Sequence, residues 1–110
     1  MAIEFEVTDN SKEFLDALPE AIEAALTAIG LTAETYAKEI CPVDTGRLRN
    51  SITNAVDSGD QSVYIGTNVE YAAFVELGSS RQRPKPYLKP AATEHGDEYR
   101  AIAEQALRGS

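Results

Sequence analysis

The residues best able to do chemistry in this 110-residue chain are Asp44, within Asp44-Thr45-Gly46, the lone His95 and the lone Cys41. An Asp-Thr-Gly loop serves peptide hydrolysis only where two carboxylates lie close enough to share a proton. Here one such Asp is followed by Arg47-Leu48-Arg49, whose charges keep it ionised, and it lacks apolar strand context. The reading that fits is local. Asp44 and Thr45 accept backbone hydrogen bonds across a turn, and Gly46 takes backbone angles closed to larger residues. Arg47 and Arg49 then share one side of an extended segment whose Leu48 turns inward, where they are candidate contacts to an acidic neighbour.

His95 falls on the apolar spacing of the last helix, which favours a partly buried packing role over a catalytic base; no Ser-His-Asp context accompanies it. Cys41 beside Pro42 reads as a small buried apolar group, and a single cysteine excludes an internal disulfide and a multi-cysteine metal site. Asp57, Asp60 and Glu70 lack the density of a metal loop. Gly66 and Gly78 stand too far apart for a phosphate cradle and read as structural turn residues. The sequence thus gives no reason for a cofactor or a metal, and an enzyme would rest on the Asp44 motif alone.

Arg81, Arg83 and Lys85, with Lys89 beyond them, form a basic run on a segment stiffened by Pro84 and Pro86. Such a run can touch phosphate, but it has no interleaved exposed aromatics. Lys+Arg number 10 against 18 Asp+Glu, a net charge of −8, so the chain has no basic field to draw in a polyanion or an anionic membrane. A protein contact or a solvated loop fits better. Residues 1 to 44 carry ten acids against Lys12 and Lys38, whereas residues 45 to 90 carry six cations against four acids. One end is therefore acidic and the middle mildly basic, an asymmetry able to steer one copy onto the next.

These groups need elements to position them. The hydrophobic share of 43% and charged share of 25% are ordinary globular usage, and the length suits one domain with one modest core. The start Met1-Ala2-Ile3-Glu4 lacks the basic region and apolar stretch of an export signal, and no apolar run nears the roughly 20 residues of a bilayer span, so the cytosol is the expected first address. Ile3, Phe5 and Val7 alternate with polar residues, which predicts a strand over residues 2 to 8. Asn10 and Glu13 resemble a capping pair before a short apolar turn of Phe14, Leu15 and Leu18.

Pro19 suits the first turn of a longer helix, with an apolar stripe at Ile22, Leu26, Ile29, Ala33, Ala37 and Ile40. Gly30 inside it marks either a kink or a close crossing, and Pro42 stops the helix near Cys41. Ile52 to Val56 and Val63 to Ile65 alternate around Asp57-Ser58-Gly59-Asp60, which predicts a β-hairpin. A short helix with Tyr71, Phe74, Val75 and Leu77 follows, its aromatics assigned to the core, and Gly78 ends it. After a loop over residues 79 to 86, Pro90 opens one last helix carrying Ala91, His95, Tyr99, Ile102, Ala106 and Leu107. The expected fold is α+β: a three-stranded, mainly antiparallel sheet packed by a long N-terminal helix, a short helix and a C-terminal helix.

The stretch Pro42-Val43-Asp44-Thr45-Gly46-Arg47-Leu48-Arg49-Asn50-Ser51-Ile52 resembles the central motif of the phage tail-component family that includes neck and tail-completion proteins of long-tailed phages and prophages. Ile65-Gly66-Thr67-Asn68-Val69-Glu70-Tyr71-Ala72-Ala73-Phe74-Val75-Glu76-Leu77-Gly78 is similar to its second motif, and Pro86-Tyr87-Leu88-Lys89-Pro90-Ala91 to its third. The ordered trio extends the resemblance over nearly the whole chain; Gly78-Ser79 stands where Gly-Thr is usual. The resemblance implies a structural, non-enzymatic role at the virion neck or tail, reached from the host cytoplasm. It implies copies packed in a ring, with a capsid connector or head-closure protein on one side and a tail terminator or tail-tube protein on the other. DNA at most passes through the opening, and no membrane is involved. Arg47, Arg49, Arg81, Arg83 and Lys85 are the candidate assembly contacts, while Asp44, Thr45, Gly46, Gly66 and Gly78 shape turns. Three other readings stand beside this one. The basic loop rearranges only on assembly, or the helices make the ring; and, in a different class, the chain is a protein-binding adaptor unrelated to virions.

Overall fold

The computed structural model describes residues 1–7, 16–42 and 46–108. The candidate cap at Asn10 and Glu13, the apolar pair Phe14 and Leu15, and the turn residues Asp44 and Thr45 lie outside the described residues. In chain order the elements are β1 (Ala2–Glu6), α1 (Pro19–Ile40), α2 (Arg47–Ser51), β2 (Thr53–Asp57), β3 (Ser62–Gly66), α3 (Ala72–Leu77), α4 (Leu88–Thr93) and α5 (Gly96–Arg108). The fold is α+β, as the alternation and stripes require.

The sheet has the order β1-β3-β2 and is antiparallel throughout. Ile3 lies opposite Ile65 and Phe5 opposite Val63, while Val56 faces Val63 from the other side. These residues turn to one face, where α1, α4 and α5 cover them. Val63 and Ile65 are fully buried against Leu26, Ile29, Leu88 and Ala91, and Phe5 stacks on Tyr99 with ring centroids 5.4 Å apart. The strand period of two leaves the alternate residues on an outer face that none of the described helices packs against.

Pro19 begins α1 with no side-chain cap, its missing amide being one the first turn leaves unpaired anyway. The stripe through Leu26, Ile29, Ala33 and Ala37 is buried, but Ile40 is 48% exposed and Cys41 occupies the next inward position. A period of 3.6 explains the exchange, since the step of four from Ala37 stays on the core side. Leu18, expected in an apolar turn, is also exposed. Gly30 marks a crossing: a Cβ there would lie 2.8 Å from Asn54 Oδ1 on β2, whose Nδ2 donates to Glu34 Oε1 at 2.9 Å.

Three expectations give way. Arg47-Leu48-Arg49 is helical rather than extended, and β2 begins only at Thr53; Leu48 still turns inward. The last helix is two helices, broken before Gly96, because glycine lowers helix stability and Asp97 and Glu98 favour a fresh N-terminus beside it. Phe74, expected in the core, is 59% exposed, and Leu77 beside it is 68% exposed. The inward positions of α3 belong to Ala72 and Glu76.

Candidate functional site

The three motifs meet where α2, α3 and the segment after α3 come together. Gly46 leads into α2 at φ +81°, and Asn50 N–H donates to its carbonyl at 2.9 Å. Arg47 on α2 forks onto Glu70 with distances of 3.2 and 3.0 Å, and its guanidinium lies 5.5 Å from the Tyr71 ring centroid. The Arg47 hydrogen bond holds the Glu70 carboxyl below its ordinary range, helped by a backbone hydrogen bond and the Arg47 charge. Both side chains are more than half exposed, so the pair fixes geometry more than it adds stability. Arg49 on the same helix is exposed.

Gly66 closes β3 between Ala2 and Thr53. A Cβ there would lie 2.6 Å from the Met1 carbonyl oxygen, so the approach of β1 requires glycine. Thr67 follows with its hydroxyl paired to Ser51 and accepting from Val69 N–H at 3.1 Å, which joins α2 to the segment entering α3.

Glu76 is the residue that sequence reasoning missed. It is 3% exposed, and its carboxylate accepts from Tyr87 N–H at 3.0 Å, Leu88 N–H at 2.8 Å and Lys89 N–H at 3.1 Å. These are amides at the start of α4, which have no partner inside their own helix. One acidic side chain thus ties α3 to α4 across the whole intervening loop. Tyr87 is fully buried, its hydroxyl 3.4 Å from the Ala72 carbonyl oxygen.

That loop has a built geometry. Ser79 and Gln82 form an isolated bridge, with Ser79 N–H donating to Gln82 O at 2.9 Å, and Arg81 N–H reaches Ser79 Oγ at 3.3 Å. Lys85 N–H donates back to Val75 O at 2.8 Å. Gly78 turns at φ +81°, where an added Cβ would meet Pro84 at 2.9 Å. Arg81, Arg83 and Lys85 are all exposed and enter no ion pair among the described residues. Lys85 and Arg47 border one shallow cavity of about 440 Å³, also lined by Tyr71, Val75 and Gln82.

The other chemistry-bearing residues sit elsewhere. Cys41 is buried, and burial pushes its thiol up, with Glu76 adding to this and Arg49 opposing it. His95 lies between α4 and α5, half-buried and stacked on Tyr36 at 3.8 Å with the rings nearly parallel. Tyr36 donates to Glu98, whose hydrogen bond and charge, with some burial, raise the phenol. Among the described residues no group of three or more His, Cys, Asp or Glu is placed to hold a metal, and no helix is long and apolar enough to cross a membrane.

The motifs of this α+β domain thus converge on a hydrogen-bonded basic corner, with Phe74 and Leu77 exposed beside it. The family model described as "Bacteriophage HK97-gp10, putative tail-component" matches residues 5–78. The chain belongs to this family of phage tail components, which have a structural role in the virion. No curated protein and no solved structure matches the chain.

Proposed function

We propose that the protein is a non-enzymatic subunit of the phage head–tail neck or tail-completion apparatus, acting as a ring of identical copies between the capsid connector and the tail. The observation that carries this reading is the corner after α3: three exposed cations, unpaired among the described residues, beside exposed Phe74 and Leu77 on a hydrogen-bonded turn. Groups of this kind contribute little to the monomer's own folding and much to docking. The turn's hydrogen bonds limit the ordering cost on contact.

In this reading Gly46, Gly66 and Gly78, together with Asp44 and Thr45, shape the scaffold. Arg47 and Arg49 flank the contact made by Arg81, Arg83 and Lys85. The neighbours are a head-closure or connector protein above and a tail terminator or tail-tube protein below. DNA at most passes through the opening and is not read, in keeping with the net charge of −8. No cofactor takes part, and the subunit waits in the host cytoplasm before assembly.

The test is a phage lacking the gene, examined by electron microscopy and complemented in vitro. Filled heads and separate tails that join once purified protein is added are the expected result. Normal particles without the protein would overturn the proposal.

A further inference from the structure

Two exposed surfaces of this chain complement each other. The first is the corner just described, where Phe74 and Leu77 on α3 stand beside Arg81 and Arg83. The second is the outer face of the sheet. Glu4 and Glu6 rise from β1 and Asp57 from β2, all exposed, around Tyr64 on β3. No cation among the described residues pairs with these carboxylates. Partial burial raises the Tyr64 phenol, and the Glu4 and Asp57 carboxylates raise it further, as a negative field on this face requires. At one end of the face lies an open groove of about 540 Å³, bounded by Ala2, Thr53, Ala55 and Tyr64, with room for an apolar side chain.

We propose that the corner of one copy docks on the outer sheet face of the next, with Phe74 and Leu77 against the groove and Arg81 and Arg83 over Glu4 and Glu6. The inference rests on the ring reading above and supplies its contact. The occupant is a second copy because this same chain carries both signs of charge and both the apolar projections and the groove. The contact joins two different patches, so it is head-to-tail, and a head-to-tail contact whose repeated rotation returns to its start makes a ring.

The test uses the full chain in sedimentation velocity over a concentration series, with circular dichroism to establish that each variant is folded. One variant carries Arg81→Glu and Arg83→Glu, the other Glu4→Lys and Glu6→Lys. Each should weaken self-association about 100-fold, taking about tenfold for each reversed charge. Mixing the two in equal amounts should restore assembly, because each reversed patch then meets its complement. Phe74→Ser with Leu77→Ser probes the same contact at exposed positions, in case Glu4→Lys disturbs the buried Ser62, whose hydroxyl donates to Glu4 at 3.0 Å. Variants that assemble like the wild type, or a mixture no better than its components, overturn the contact and leave the ring reading standing. A wild-type chain that stays monomeric at every concentration, cross-linker included, overturns both.

Discussion

Removing the Glu76 carboxylate should cost more stability than any other single polar change on this chain. It is 3% exposed and accepts three backbone hydrogen bonds, two from the buried amides of Tyr87 and Leu88 and one from the half-buried amide of Lys89. A hydrogen bond to a charged group contributes about 1.5–3 kcal/mol net, and a buried amide left without a partner costs about as much. Glu76→Ala strands two amides that water does not reach, while relieving the burial of one charge, so the net loss is about 3–4 kcal/mol. Total stability for a domain of this size is about 5–15 kcal/mol, which makes the variant marginal. Glu76→Gln keeps one oxygen for Tyr87 and Leu88 but turns an amide toward Lys89 N–H, for a loss of about 1–2 kcal/mol. Urea denaturation followed by circular dichroism reads both values, with an unchanged slope expected. An alanine variant within about 1 kcal/mol of wild type, or a glutamine variant as damaging as the alanine, would refute the reasoning.

Gly78→Ala should lower stability by about 2 kcal/mol and loosen the basic turn, because φ is +81° and the new Cβ would meet Pro84; thermal melts check the first effect and hydrogen exchange at Lys85 N–H the second. Tyr99→Phe should cost about 1 kcal/mol in urea denaturation, since the buried hydroxyl donates to the Ala91 carbonyl at 2.5 Å. Burial raises Cys41, Tyr87 and Tyr99 above their ordinary values of 9.0 and 10.0, so the native state keeps protons that the unfolded chain gives up. Stability should therefore fall as pH climbs past about 9, by at most ~1.4 kcal/mol per pH unit for each group, and flat stability to pH 11 in urea titrations would contradict it. The same burial should make Cys41 alkylation slow in the native protein and fast after unfolding, as a thiol-reactive dye reports.

The alternation of Ile3 with Phe5 and of Val63 with Ile65 was enough to read the strands, because sheets bury every second residue. The α1 stripe was legible for the same kind of reason. The break before Gly96 was harder to see, since Tyr99 and Leu107 keep the helical spacing that Ala91 begins. The clearest miss was Glu76. Its ligands are backbone amides more than ten positions along the chain, and main-chain groups leave no mark in the identity of their residues. Phe74 reads as core because a small domain without tryptophan needs its bulk, whereas α3 has no extended packing against any other described element and its small Ala72 makes the close approach. Of the proposed contact, the cations were visible as a run; the acidic face was not, because Glu4, Glu6 and Asp57 are brought together only by the strand register.

The placement of β3 between β1 and β2 has a bearing on biosynthesis. The β1 strand, leaving the ribosome before β2 and β3, finds its neighbour only when residues 62–66 emerge, while β2 and β3 are joined by a tight local turn. Local pairings form early and distant ones late, so the hairpin should be the seed and the N-terminal strand the closing piece. Weakening Ile3 or Phe5 would then speed unfolding while leaving the refolding rate nearly untouched.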